Sequence, residues 1–530
     1  MWHIDSYIVA AYLVGIFVAG YLISRRHVNR SADEFISGGR TRTWYQTSLA
    51  LIAMAVDPAY MGMAGLGFLW GLYIIQWNAV HIWFTSWFAA MFLIPIYWRS
   101  QIQTTPEYLE KRFNVQCRVF FSLVMVVILI VTLTSGLYLG ALLLEGLLGW
   151  SLWPSVAFIA IVAGFYVILG GMRTVLVLDT YQGFFLLLTL LAVCIVAVSH
   201  VGGISAYIAL QATGNAGGLL PSVLPPSDWN LATETFFPAQ AIMLWATVAG
   251  LSWLACNFGM AQRLLAAKSE ADAQKGLLGL GVLATIACFA TYLIGSSMRF
   301  LAPDILPDQA FMKVMLEMFP VGARGLLAAG MMAALLSSAD GMLTAASALL
   351  TEDIYLRFYR PQAEDAHVVR VHRLFEAGTL LLSVALITVL VEAKSAVTFV
   401  QTFYGDVLGV VVALYIVGMF SRRATSKAAF AAMISGLVLA VSMDIWTDWN
   451  FAYIGFSSFL YALFATLVFS RFEEAPALST LENLTIHTLP DAKGPWVGLQ
   501  AWPGLWKWAL FLSGGWFAFC LVWEWLVRTG

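Results

Sequence analysis

Apolar stretches long enough to cross a lipid bilayer follow one another along almost the whole of this chain. A membrane-spanning helix needs roughly 20 apolar residues, because it crosses about 30 Å of hydrocarbon at 1.5 Å per residue. Of the 530 residues, 61% are hydrophobic and 11% are charged, whereas about 25% are charged in soluble domains. The sequence therefore predicts an all-α polytopic membrane protein with 14 transmembrane helices. The predicted spans are 5–24, 44–70, 72–98, 119–147, 151–170, 175–199, 238–262, 275–299, 324–356, 372–393, 396–420, 426–446, 450–471 and 506–527.

The positively charged residues indicate the orientation of these spans. If the first span begins outside the cell, 23 of the 28 Lys and Arg residues fall on the inside and five on the outside. Lys and Arg are concentrated in cytoplasmic loops, so we expect both termini outside a cell membrane, most naturally a bacterial inner membrane. The outside residues are Arg299, Lys313, Arg324, Lys394 and Arg528.

Composition and motifs argue against several other classes of protein. The net charge is −2 without a basic patch, which speaks against a nucleic-acid partner, and the five cysteines show no CxxC spacing. None of the seven histidines begins an HExxH motif. Gly405-Asp406 resembles half of the GxGD pattern of intramembrane aspartyl proteases, with Asp179 as the second aspartate, but Phe403 replaces the first glycine. We expect no enzyme and no obligate protein partner, and keep such a protease or a membrane sensor as remote alternatives.

The second span contains a point where an α-helix cannot continue. Pro58 has no backbone N–H and clashes with the preceding turn, and Asp57 before it suits the N-cap of a new helix. The span is therefore predicted to form two half-helices joined near residues 55–57. Free carbonyl groups there can hold a cation, and a half-helix N-terminus can face an anion. Asp57 is either only the cap or also a direct contact of an ion or substrate.

The ninth span carries a stripe of oxygen-bearing side chains. At about 100° per residue, all five of its members fall on one narrow face. Hydroxyl and carboxylate oxygens are the ligands that hard cations prefer. The alternative is that the hydroxyls donate to carbonyl groups one turn earlier and that the small residues permit close helix packing. The stripe consists of Ser337, Asp340, Thr344, Ser347 and Thr351.

Polar residues in other spans also have two interpretations. Asn78 and His81 are three residues apart and share a helix face, whereas Asn257 and Gln401 stand alone in apolar helices. Such residues either contact a ligand or hydrogen-bond a neighbouring helix.

Five segments in this order resemble the sodium/solute symporter family, and within it the sodium–sugar symporter branch. Each segment is weak evidence alone, but their order from residue 33 onward is specific. The segments are Asp33–Arg40, Thr105–Phe113, Gly170–Val175 with Asp179 and Gln182, Gln262–Lys268, and Ser337-Ser338 continuing to Glu352–Tyr355.

The resemblance implies a leucine-transporter-like core of two inverted five-helix repeats. Under this plan a leading helix and first cytoplasmic loop occupy 1–43. The first repeat, core helices 1–5 with an outer loop, takes 44–237, and core helices 6–10 take 238–425. Three peripheral C-terminal helices fill 426–530.

The resemblance also implies a sodium site, with Na⁺ as the coupling ion. Carbonyl groups of Ile52, Ala55 and Ala334 would bind the ion together with the hydroxyl groups of Ser337 and Ser338. Asp179 matches an aspartate that supports sodium binding in the family. Asp340 replaces a hydroxyl found there in some members, so we predict a second cation or proton locus at Asp179 and Asp340, because two nearby carboxylates hold a cation or share a proton.

The solute site implied by the resemblance keeps only part of the sugar branch's pattern. The side-chain amides of Asn257 and Gln401 match that pattern, and Met63 keeps one of the two outer gate positions. The other positions differ. The expected function is sodium-coupled import of a small polar solute, a sugar, polyol or sugar acid, by alternating access. The alternative is a proton-coupled or mixed-cation symporter of an amino or carboxylic acid. The solute-site residues are Asp57, Ala59, Asn78, His81, Thr132, Asn257, Gly259, Thr291 and Gln401, and the gate residues are Met63 and Trp77.

Overall fold

The computed structural model describes residues 4–26, 38–56, 59–75, 79–212, 246–392, 396–489 and 497–529. Its described elements are all helical, and no β-strand occurs in these ranges. The prediction of an all-α protein is therefore confirmed. The helices are α1 (Ile4–Arg26), α2 (Trp44–Ala55), α3 (Ala59–Trp70), α4 (79–99), α5 (Thr105–Arg112), α6 (Val115–Leu148), α7 (Leu152–His200), α8 (Gly203–Ala212), α9 (Phe258–Leu265), α10 (Glu270–Leu301), α11 (Ala310–Glu317), α12 (Ala323–Ala348), α13 (Asp365–Glu392), α14 (Ala396–Phe420), α15 (Ser426–Trp446), α16 (Phe451–Phe469) and α17 (Leu505–Thr529).

Several helices contain π-helical turns, in which each N–H bonds five residues back. In α4 two such turns alternate with α-helical ones, a third precedes α9, and a fourth extends α12. Shorter 3₁₀ turns complete the described helical structure. The π-turns are Ala79–Phe84, Ala89–Leu93, Ser252–Cys256 and Leu349–Leu356; the 3₁₀ turns are Gly71–Ile74, Pro307–Gln309, Ser470–Phe472, Leu478–Leu481 and Val497–Leu499.

Among the described residues, nine helices are long and apolar enough to cross a membrane by themselves. The count of 14 stays a prediction, because its other five spans are broken, shorter or partly outside the described ranges. Leu152–Phe165 and Val407–Phe420, for example, are apolar helices of 10–17 residues. The nine are Ile4–Ile23, Val115–Gly146, Gly171–His200, Glu270–Leu301, Ala323–Leu356, Asp365–Val391, Ser426–Trp446, Phe451–Phe472 and Leu505–Trp523.

The long helix α7 is two spans joined at a glycine. Its 49 residues would measure about 74 Å as one straight helix, more than twice the hydrocarbon thickness. Gly171 interrupts it with φ 61° and ψ −176°, a conformation that glycine adopts at low cost because it lacks a Cβ. The break separates the predicted spans 151–170 and 175–199.

The predicted break in the second span is confirmed. α2 ends at Ala55, Val56 leaves the helical region with φ −96° and ψ 81°, and α3 begins at Ala59. Asp57 and Pro58 lie outside the described residues, so the role of Asp57 stays a prediction.

A second break, which the sequence did not predict, lies at Asn257. This residue has φ −68° and ψ 108° and separates the π-turn Ser252–Cys256 from α9. The predicted span 238–262 is therefore not one continuous helix.

The stripe-bearing helix α12 lies at the centre of the described bundle. Ninety-four per cent of its most apolar stretch is buried, and it packs against α1, α2, α6, α7 and α13. The polar side chains of α12 therefore have little access to solvent. A hydroxyl or carboxylate group there must find a partner inside the protein.

Candidate cation and solute site

The end of α2 and the middle of α12 meet where the sodium site was predicted. Ser338 Oγ donates a hydrogen bond of 3.2 Å to the carbonyl oxygen of Met54, which lies between Ile52 and Ala55. Ile52 and Ala334 are fully buried, and Ser338 is 2% exposed. The two predicted groups of ligands, carbonyls of the first half-helix and hydroxyls of α12, are thus adjacent.

The donor atoms at this junction suit a small hard cation. The last carbonyl oxygens of an α-helix lack some of their helical partners, and α2 ends at Ala55. Ile52 accepts one hydrogen bond from Val56 N at 2.9 Å, and a carbonyl oxygen has a second lone pair for another partner. Oxygen ligands of this kind fit Na⁺, so the residues present are compatible with the implied ion.

Ser337 connects this junction to a buried charge cluster. Its Oγ donates to Asp179 Oδ1 on α7 at 2.6 Å. Arg263 of α9 donates to Asp179 Oδ2 from Nε at 2.9 Å and from Nη2 at 2.6 Å, and its Nη2 lies 3.3 Å from Asp340 Oδ1. Arg263, Asp179 and Asp340 are all completely buried. Asp179 and Asp340, which the sequence predicted to lie close together, are therefore joined through the guanidinium group of Arg263.

Arg263 changes what the second predicted locus can hold. Two ionised carboxylates and one guanidinium together carry a net charge of −1, and the guanidinium group of Arg42 is close enough to act electrostatically on Asp179. Charges buried in this way need compensation, since the penalty for removing each ion from water amounts to several kcal/mol. Asp179 and Asp340 thus do not face each other alone, because Arg263 already compensates part of their charge.

Arg263 is the principal residue that the sequence analysis missed. It was counted as one of the inside-facing charges, at the edge of a predicted span. The sequence contained one sign that Arg263 lies inside the protein: it directly follows an apolar stretch, and a glycine, Gly259, lies one helical turn before it. Its Nη1 donates to the Gly259 carbonyl at 3.0 Å.

The structure describes side-chain contacts for three of the predicted solute residues. Thr132 Oγ1 donates to Ile128 O at 2.8 Å and hydrogen-bonds the hydroxyl of Tyr404 on α14 at the same distance. The ring of His81 in α4 lies 6.0 Å from that of Trp253. Asn257 caps α9, its Oδ1 accepting from Met260 N at 3.4 Å. Tyr404 is an additional candidate, joined to the predicted set through Thr132.

Gly259 and Thr291 have structural roles that the sequence did not predict. A Cβ on Gly259 would collide with the Met54 side chain and lie 3.1 Å from the carbonyl oxygen of Gly341. Thr291 is fully buried and donates to Ala287 O in its own helix at 2.7 Å. Gly259 therefore permits close packing beside the charge cluster. The Thr291 hydroxyl makes its hydrogen bond within its own helix, α10.

The gate and the remaining solute positions are only partly described. The Tyr292 hydroxyl donates to Met63 Sδ at 3.9 Å, which fixes Met63 against α10. Trp77 and Asn78 lie outside the described residues, as does Asp57. For Ala59 and Gln401 only the helical backbone is described.

A network of ion pairs joins the far end of α12 to the loop helix α5. Asp353 is fully buried and accepts hydrogen bonds from Arg118 Nε at 2.8 Å, Ser122 at 2.6 Å and Thr104 at 2.7 Å. Glu110 of α5 pairs with both Arg118 and Arg357 at 2.7 Å. Partial burial acts to raise the pKa of Glu110, but the two guanidinium groups outweigh it and hold the pKa below its usual value. Glu110 therefore stays ionised at neutral pH, and the network holds α5 and α6 against the segment that follows α12.

Comparisons with known proteins identify the family of the chain. The family model described as "Sodium:solute symporter family" matches residues 35–436. The sodium/glucose cotransporter of Vibrio parahaemolyticus is 30% identical over 465 residues, which cover 83% of this chain and 84% of that protein. The sodium/myo-inositol cotransporter of Homo sapiens is 26% identical over 474 residues, which cover 82% of this chain and 66% of that protein.

Two solved structures show which fold the described helices adopt. A Na⁺-coupled sialic acid symporter, in a substrate-bound outward-open state, has a TM-score of 0.80 at 21% identity and covers 89% of this chain and 99% of its own. A nucleobase-cation-symport-1 family transporter has a TM-score of 0.53 at 14% identity, with 86% and 98% covered. The chain has this leucine-transporter-like fold.

Proposed function

This chain belongs to the sodium:solute symporter family, and we propose that it imports a sugar, a polyol or a sugar acid together with Na⁺. It is a multi-pass membrane protein and a sodium-coupled symporter of a small polar solute. The observation that carries the proposal is the contact between Ser338 Oγ and the carbonyl of Met54 at the end of α2.

Sodium at this contact would couple ion binding to the shape of the transporter. The ion would bind carbonyl groups of Ile52, Ala55 and Ala334 and the hydroxyl groups of Ser337 and Ser338, and so hold the broken helix against α12. Each charge that enters across 100 mV supplies about 2.3 kcal/mol. Transport is coupled only if sodium and solute each bind more tightly with the other present.

The two broken helices support the proposed repeat arrangement. One break follows Ala55 near the start of 44–237, and the other lies at Asn257 near the start of 238–425. Interrupted helices in corresponding positions of two halves mark the binding site in inverted-repeat transporters. We propose that the protein lies in a bacterial inner membrane, and the distribution of Lys and Arg supports placing both termini outside.

The charge cluster is the proposed second cation locus. The two carboxylates of Asp179 and Asp340 outnumber the single guanidinium group of Arg263, and the remaining negative charge would attract a sodium ion. The alternative, a proton at the same place, gives a proton-coupled or mixed-cation symporter.

The proposed class of solute rests on the polar groups at the predicted solute site and on the solutes for which the relatives are named. Hydroxyl groups at Thr132 and Tyr404, the imidazole of His81 and the amide of Asn257 can hydrogen-bond a polyhydroxylated solute. The relatives are named for glucose and myo-inositol, which have this chemistry. Amino and carboxylic acids remain the alternative class of solute.

Uptake into proteoliposomes tests the proposal. We expect accumulation of radiolabelled D-glucose or myo-inositol when sodium is outside, and none when choline replaces it. Imposing a pH gradient without sodium is expected to drive no uptake, which separates sodium from proton coupling. Protein-free liposomes are the control. Equal uptake in sodium and choline would contradict sodium coupling, and sodium-driven uptake of an amino acid instead would overturn the solute class.

A further inference from the structure

An open groove that combines basic and apolar side chains lies at one end of α14 and α16. Its volume is about 640 Å³. The two helices run in the same direction, because Gly405 packs against Phe451 and Gly409 against Gly455. Both therefore end on the same side of the bundle, which the distribution of Lys and Arg predicts to be cytoplasmic. The groove thus lies at the level where the inner leaflet of the membrane meets the cytoplasm.

The basic side chains of the groove come directly after the end of α14. Arg422 and Arg423 are exposed and line the groove together with His487 of the segment 478–489. Arg422 Nη2 donates to the carbonyl oxygen of His487 at 3.3 Å. In the part of the chain that the structure describes, neither guanidinium group pairs with a carboxylate, and none of the lining residues is acidic. Two positive charges are therefore available to an anionic occupant.

The rest of the groove is apolar and borders the lipid-facing surface of α16. This helix belongs to the candidate span Phe451–Phe472. Its side chains Leu467 and Phe464 are 38% and 58% exposed, and exposed apolar side chains on a membrane span face the hydrocarbon of the bilayer. An acyl chain can therefore reach the groove directly from the membrane. The apolar lining residues are Ile416, Val417, Phe420, Leu463 and Leu467.

We propose that this groove binds an anionic phospholipid of the inner leaflet, with its phosphate on Arg422 and Arg423 and one acyl chain along α14 and α16. A guanidinium group donates two parallel hydrogen bonds to a phosphate group, which suits it to this role. Basic pockets between membrane helices on the cytoplasmic side attract anionic headgroups. The apolar lining favours a phospholipid over a free phosphate ion, which would leave that surface uncovered. The inference does not depend on the transported ion or solute.

The lipid would also stabilise the segment that forms one wall of the groove. Ile486 N of this segment donates to the carbonyl oxygen of Met419 in α14 at 3.0 Å. The hydroxyl of Tyr108 in the loop helix α5 donates to the carbonyl oxygen of Leu484 at 2.9 Å. The segment 478–489 therefore connects α14 with α5, and a lipid bound against it is expected to raise the melting temperature of the protein.

Native mass spectrometry of the purified, delipidated full-length protein tests the groove. We expect dioleoylphosphatidylglycerol to bind more tightly than dioleoylphosphatidylcholine, which has the same chains but no net charge. Arg422→Gln/Arg423→Gln should need roughly 30-fold more phosphatidylglycerol for half-occupancy, because two basic groups at the headgroup are lost. Leu467→Trp, which fills the apolar part and leaves the charges in place, should weaken the binding of phosphatidylglycerol as well.

The matched control is Arg360→Gln/Lys427→Gln, which removes two exposed positive charges that do not line the groove. It should bind phosphatidylglycerol as the wild type does. Equal binding of the two lipids, or an equal loss in the control and in Arg422→Gln/Arg423→Gln, would refute a specific site. Unchanged binding in Leu467→Trp, or displacement of the lipid by inorganic phosphate alone, would show that no acyl chain occupies the groove. Because no solute or sodium is needed, these outcomes leave the proposed function to its own test.

Discussion

The Ser337→Ala/Ser338→Ala protein is expected to need roughly 100-fold more sodium, or more, for half-maximal uptake. Each hydroxyl donates an oxygen to the proposed ion, and a contact with a charged group contributes about 1.5–3 kcal/mol. Two such losses correspond to two or more factors of ten in affinity, at about 1.4 kcal/mol for each. The measurement is solute uptake in proteoliposomes as a function of external sodium.

The matched control is Ser435→Ala/Ser442→Ala on α15. These serines are partly exposed and donate to carbonyls of their own helix, Ala431 and Val438, at 2.7 and 2.6 Å. Their removal should leave the sodium dependence unchanged. An unchanged sodium requirement in the protein that lacks Ser337 and Ser338 hydroxyls would rule out the assigned site.

Arg263→Gln is expected to destabilise the protein by about 3–5 kcal/mol, because it leaves two buried carboxylates without their partner. The wild-type guanidinium contacts Asp179 twice and Asp340 once. The expected result is a large fall in the melting temperature of the detergent-purified protein, measured by intrinsic fluorescence.

A second substitution identifies the cause of that fall. Adding Asp340→Asn to Arg263→Gln removes one of the two uncompensated charges and should restore part of the lost stability. Arg360→Gln, at an exposed position outside the cluster, is the control and should have little effect. No recovery in the double variant, or a melting temperature unaffected by Arg263→Gln, would show that the cluster is not held together by charge.

Much of the fold could be predicted because the bilayer imposes simple constraints on a sequence. Apolar length predicted the helical architecture, and Pro58 predicted the break after Ala55. The resemblance of Ser337-Ser338 to the family's sodium-binding helix predicted which helix would face that break. Apolar length and Pro58 are local signals, which one short segment is enough to detect, whereas the role of the serine pair came from several segments in a specific order.

The residues that were missed depend on packing between distant segments. Arg263 looked like a loop charge, because nothing nearby in sequence shows that α9 carries it between α7 and α12. His372 and Glu376 stand beside Arg370 and Arg373 at the predicted cytoplasmic start of a span, where solvated residues are expected. Only the contact of α13 with α12 reveals that both are buried.

The most direct test of the central claim is an experimental structure of the protein determined in sodium and again in potassium. We predict an ion between the carbonyls at the end of α2 and the hydroxyls of Ser337 and Ser338, bound in sodium and absent in potassium. A sodium-saturated structure without an ion at this junction, or with residues 44–70 forming one unbroken helix past Ser338, would contradict the account.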